Sequence, residues 1–206
     1  MTMEWVKAEY TSGGQMQRRH HAFLLLAFAF VALVVARPRA GAPGADSPAK
    51  DRIERGKYLV TFGGCNDCHT PHKMGRNGPE PDMTRFLSGH PSDFALPPPP
   101  PPSGPWIVTG AASFTAWAGP WGVSFTANLT PDKETGLGKW TEDMFVMAIR
   151  TGRHEGKGRP ILPPMPYQWI GKLSDDDLKA VFAYLQSIPP VRNRVPAPID
   201  PPAVKK

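Results

Sequence analysis

The chain has 206 residues, of which 26 are proline and 20 glycine, with 24 Lys and Arg against 18 Asp and Glu. That length holds one ordinary domain or two small ones, and so much proline and glycine leaves no room for a two-layer sheet protein. The formal charge of +6 falls to +3 without residues 1–40, which carry five basic and two acidic side chains, a surplus too mild to argue for nucleic acid as a partner.

The N-terminal segment reads as an address. Arg18, Arg19, His20 and His21 precede an uninterrupted apolar run from Ala22 to Ala36, and the small residues Ala40 to Ala42 offer a cleavage site. The run is shorter than the roughly 20 residues of a spanning helix. Residues 1–42 are therefore expected to be a signal peptide, with a retained N-terminal membrane anchor as the alternative and the only route to membrane association. Export places the expected site of action in the periplasm. Residues 43–50 read as a flexible linker, 51–191 as the folded domain, and 192–206 as a proline-rich tail.

Within the domain, "DRIERGKYLVTFGG" predicts a short amphipathic helix starting near Asp51 and stopped by Gly63 and Gly64. Gly56 is costly inside it unless another helix packs close by. Residues 76–127 form a long insertion without periodicity. Pro97 to Pro102 predict a polyproline II strut. Phe94 through Pro131 contains no Lys, Arg, Asp or Glu, yet holds Trp106, Phe114, Trp117, Trp121 and Phe125. Such a segment either folds over a buried apolar object or offers a patch to a partner, and the first reading is favoured. "KWTEDMFVMAIRTG" predicts a helix capped by Thr141, stapled by Trp140 and Phe145 and stopped by Gly152. "LSDDDLKAVFAYLQSIPP" predicts another, capped by Ser174 with three aspartates in its first turn. Arg150, Arg153, Lys157 and Arg159 gather as a docking patch or a solvated loop. With no sustained alternation anywhere, the expected class is all-α with long Pro/Gly-rich loops.

The two cysteines, Cys65 and Cys68, stand in "GGCNDCHTPHK". A dithiol redox pair belongs at a helix start in a βαβ pattern, which is missing here. Zinc needs four ligands, and His69, His72, His90 and His154 lack a paired spacing. C-x-x-C-H as a covalent haem anchor fits better: two thiols add across two vinyl groups, and the next residue, His69, lies beneath the iron as proximal ligand. Its other ring nitrogen is expected to donate to a backbone carbonyl, in a loop that Pro71 helps to fix. Among candidates for the sixth position, Met144 and Met147 sit on a predicted helix where core filling explains them. Met74 and His72 lie too near the anchor. Met165, in "LPPMPY" between Pro164 and Pro166, is a thioether on a stiffened loop and the favoured distal ligand. His90 and Met83 follow it.

Together, "RGKYLVTFGGCNDCHTP", "NLTPDKETGLGKWTEDMFVMAIRTG", "LPPMPY" and "LSDDDLKAVFAYLQSIPPV" resemble class I cytochrome c, and are similar to a single haem domain of the cytochrome subunits of membrane-bound alcohol, aldehyde and sugar-acid dehydrogenases. The resemblance implies a cytochrome c-like helical fold whose first and last helices meet at Gly56 against the helix of Tyr184. It also implies Cys65 and Cys68 as haem attachment sites, His69 and Met165 as axial ligands, and Trp140 and Thr130 near the haem propionates. The expected function is a one-electron carrier with one haem c, passing electrons from a donor dehydrogenase or reductase to an acceptor oxidase or cytochrome, without catalytic residues of its own. The alternatives are a peroxidase-like haem enzyme, with His90 or His154 as acid/base group, and an electron-transfer subunit of a membrane-bound dehydrogenase or oxidase.

Overall fold

The computed structural model describes residues 48–101 and 104–202. The expected signal or anchor at 1–42, residues 43–47 of the linker and Pro102 of the proline run lie outside them. α1 (Pro48–Phe62) begins slightly before Asp51, with Pro48 in its first turn, where a proline costs no hydrogen bond. It packs against α5 (Asp175–Ser187) at Gly56, where a Cβ would run into the Ala180 carbonyl and stand 2.8 Å from Tyr184 Cβ. The glycine that local propensity disfavours is thus what lets the two backbones touch.

α3 (Glu142–Thr151) starts as its sequence predicts, with Thr141 Oγ1 accepting from the Met144 amide at 3.2 Å, and Gly152 ends it in a left-handed conformation. Ser174 caps α5 by accepting from the Asp177 amide at 3.1 Å. Val60 of α1, Phe145 and Ile149 of α3, and Leu178, Val181, Phe182 and Leu185 of α5 form one buried core with Leu87 and Leu137. The Phe145 and Phe182 rings meet at 5.4 Å. Each such side chain contributes about 1.5–3 kcal/mol on burial. An Arg52–Glu142 ion pair and an Arg55–Asp177 pair tie α1 to the starts of α3 and α5.

The expectation of an all-α class is wrong. Among the described residues, α1, α2 (Cys65–His69), α3, α4 (Tyr167–Ile170) and α5 share the fold with five short strands in two antiparallel sheets. β1 (His72–Gly75) pairs with β2 (Gly78–Pro81), His72 opposite Pro81. β3 (Thr109–Gly110), β4 (Ala116–Gly119) and β5 (Gly122–Phe125) form the second sheet in that order. No strand among the described residues exceeds four residues, so alternation does not accumulate there into a readable signal. The turns carry the information instead: Arg76-Asn77 and Pro120-Trp121 are each followed by a glycine at positive φ, Gly78 and Gly122.

The proline run from Pro97 to Pro101 is exposed and carries neither helix nor strand. Behind α5 the chain stays bonded to the fold. Val123 and Ile199 exchange backbone hydrogen bonds of 2.8 and 2.9 Å. Asn193, buried, donates to the Ser88 and His90 carbonyls at 2.7 and 2.8 Å and accepts from the Ser92 amide at 2.9 Å.

Candidate metal centre

A cavity of about 710 Å³ opens beside the helical core, within the range of roughly 300–1,000 Å³ typical of cofactor sites. α2 reaches it from one direction and brings Cys68 and His69 to the lining. Cys65 lies one helical turn earlier, packed against the core and not on the lining. From another direction the loop ahead of α4 contributes Pro163, Pro164, Met165 and Pro166. The β4–β5 hairpin supplies Trp117, Ser124 and Phe125, so part of the uncharged segment does fold over an apolar space. Another part does not: Trp106, 78% exposed, leads an outward run with Ile107 and Val108.

His69 is buried and its Nδ1 donates to the Ala127 carbonyl at 2.8 Å, which leaves Nε2 as the nitrogen free to bind a metal. The acceptor comes from 58 residues along the chain, not from the Pro71 loop. Gly89 makes this approach possible: its own amide bonds the His69 carbonyl at 2.8 Å, and a Cβ on it would press into the Thr126 and Ala127 backbone. Burial pushes the His69 pKa below its ordinary value and the Ala127 hydrogen bond only partly opposes this, so the ring is held neutral, as ligation requires. Burial also pushes the Cys65 thiol up to about 11 and raises Cys68, with Asp67 adding to both. An activated redox thiol has the opposite shift. Among the described residues no three His, Cys, Asp or Glu side chains converge on a metal-sized site, as a zinc site would need.

The other candidates separate by position. Met83 and Met74 are exposed and off the lining. Met147 is half exposed, while Met144, read from sequence as core filling, lines the cavity together with Met165. Thr130 spends its hydroxyl on Asn128 Oδ1 at 2.8 Å and on the Val191 amide at 3.0 Å, away from the cavity, whereas Trp140 is on the lining, edge-on to His154 at 5.1 Å. Of the basic group at 150–159, Arg150 is engaged within the fold, donating to the Gly171 and Leu173 carbonyls and to Asp175.

The donor set suits a covalently held haem. A free imidazole nitrogen, two thioethers and a thiol meet around a largely apolar space of the right size. Lys133, Lys139, Arg159 and Arg194 outnumber Glu134 and Glu155 on the lining, a balance that favours a ligand bearing carboxylates. Trp117 Nε1 and Thr126 Oγ1, on two lining residues, are buried without a hydrogen-bond partner among the described residues.

His90 is withdrawn from this chemistry. It is fully buried, Nε2 donating to the Phe94 carbonyl at 3.1 Å and Nδ1 facing the Thr115 hydroxyl at 2.9 Å. Burial above all, then the nearby Arg85, lowers its pKa against the pull of the Phe94 bond. The unfolded chain therefore takes up a proton first as pH falls through about 6.5, and stability present above that pH is lost below it, by at most about 1.4 kcal/mol per pH unit. A denaturant midpoint series from pH 7.5 to 5 is expected to fall more steeply in the wild type than in His90→Gln; parallel curves would show that the ring titrates freely.

No protein-family model matches the chain. It is 32% identical over 149 residues to the gluconate 2-dehydrogenase cytochrome c subunit of Pantoea cypripedii, a match covering 71% of this chain and 26% of that subunit. It is 29% identical over 159 residues to the cytochrome c subunit of the quinone alcohol dehydrogenase of Gluconobacter oxydans, 77% of this chain and 26% of the relative. A nicotinate dehydrogenase subunit from Pseudomonas putida is 30% identical over 155 residues, 75% of this chain and 10% of its own length. The chain thus spans about a quarter or less of these curated relatives. It is similar to one segment of the cytochrome c subunits of dehydrogenases, the class that its C-x-x-C-H and LPPMPY motifs resemble.

Proposed function

We propose that this chain is a periplasmic monohaem c-type cytochrome that carries single electrons between redox proteins. Cys65 and Cys68 hold the haem covalently, and His69 and Met165 are its axial ligands. The observation that carries the reading is the shared cavity: Cys68 and His69 from α2 and Met165 from a distant proline loop all line one apolar space. When bound, the haem would supply a one-electron couple. The chain's own residues fix that couple. The Ala127 carbonyl holds the His69 ring, the apolar part of the lining would limit water, and a Met165 thioether in place of a second imidazole would raise the reduction potential. No substrate is transformed.

The relatives' names support a second reading within the same chemistry, in which the donor is a catalytic dehydrogenase subunit and this chain its electron outlet. A peroxidase-like enzyme is less well supported: both His90 nitrogens are engaged, which leaves His154 as the histidine on the lining besides His69. Protein matured in an exporting host should carry one haem per chain by its alkaline pyridine spectrum, and acid-acetone should fail to extract it. Freed pigment, or rapid peroxide binding by the oxidised protein, would overturn the carrier reading.

A further inference from the structure

We propose that Ser124 positions Met165, so that the three-stranded sheet acts as a brace for the distal side of the cavity. The inference rests on Met165 being the distal ligand. Ser124 is buried on β5, and its hydroxyl donates to the Pro163 carbonyl at 2.6 Å, two residues ahead of Met165. A second acceptor, the Trp117 carbonyl, lies at 3.3 Å, and a hydroxyl has one proton, so the shorter contact holds it. The same oxygen accepts from Trp121 Nε1 at 3.2 Å. A relay therefore runs from indole through hydroxyl to carbonyl, each bond polarising the next.

The loop has need of such a side chain. Pro163, Pro164 and Pro166 have no amide proton, so within residues 163–166 only Met165 can donate a backbone hydrogen bond. Bonds accepted by the carbonyls therefore carry most of the holding. The neighbouring anchors lie outside the stretch: the Ile161 amide bonds the Gly152 carbonyl at 2.8 Å, and the Pro166 carbonyl accepts from Trp169 and Ile170 in the first turn of α4. Among the described residues, Ser124 is the side chain that bonds the backbone between Leu162 and Met165. Its own support is firm, because β5 is paired with β4 on one side and with Ile199 on the other, and the Trp121 ring lies against Gly119. A thioether on a braced loop would keep its place in the cavity, whereas on an unbraced loop it would stray and leave room for a competing ligand.

The holoprotein tests this with added imidazole as the competing ligand. In Ser124→Ala the haem should remain covalently attached and the far-ultraviolet circular dichroism unchanged, while imidazole binds the oxidised protein about tenfold more tightly and the sulfur-to-iron absorption band weakens. Trp121→Phe, which removes the indole donor together with part of the ring against Gly119, should shift imidazole affinity in the same direction by less, and Ser124→Thr, which keeps the hydroxyl, should restore the band. Wild-type imidazole affinity and an intact band in Ser124→Ala would overturn the brace while leaving the ligand assignment standing. If that variant fails to fold, unchanged affinity in Trp121→Phe overturns it. A wild-type protein that itself lacks the band fails at Met165, and the brace falls with it.

Discussion

Gly56→Ala should destabilise the protein by about 3 kcal/mol, more than most single methyl insertions. The new Cβ meets backbone, the Ala180 carbonyl on α5, together with Tyr184 Cβ at 2.8 Å. Neither can swing aside as a flexible side chain would. The helices have to separate, and Val60, Phe182 and Leu185 of the shared core lose contact with them. The sign makes the experiment decisive. In a helix without a close neighbour, alanine for glycine stabilises by roughly 0.5–1 kcal/mol. A melting temperature that falls by several degrees supports the packed crossing; one that rises would mean α1 and α5 do not meet at this residue.

Met165→Ala should abolish the sulfur-to-iron band while the haem stays attached, and lower the reduction potential by an appreciable part of the ~0.8 V that axial ligands govern. Cyanide should then bind the oxidised protein without first displacing a protein ligand. Met144→Ala is the necessary companion, because Met144 also lines the cavity. Its side chain comes from α3, whose backbone is fixed by its own ladder and by the Thr141 cap, so we expect that variant to keep the band. Loss of the band in Met144→Ala and its retention in Met165→Ala would move the distal ligand to α3.

The helices were legible because their signals are local. Thr141, Ser174, Gly152 and the aspartates of α5 act within one turn: the structure uses Thr141 and Ser174 as caps and Gly152 as a stop, and places the aspartates in the first turn of α5. Gly56 was legible as an anomaly whose explanation lay elsewhere in the chain. The sheets were not. β3 has two residues and the other strands four, too few for a period of two to register, and Pro79 and Pro81 inside β2 read as loop. The Asn77-Gly78 pair was the available sign of the first hairpin. At the site, the thiols and imidazole of α2 announce themselves by residue type and spacing. The Ala127 carbonyl that orients His69 cannot, since every residue has one, and only the three-dimensional path past Gly89 brings it there. Met144 was set aside because an apolar helix face serves a core and a cavity wall equally well.

The pairing of Ile199 with Val123 bears on where the chain can be shortened. A cut behind residue 191 looks harmless by helix content, yet it would strip β5 of its outer neighbour and leave the Val123 amide and carbonyl without partners. Bare strand flanks recruit other copies. The trimmed protein would then face self-association as a hazard, besides losing Arg194, Val195 and Pro196 from the cavity wall.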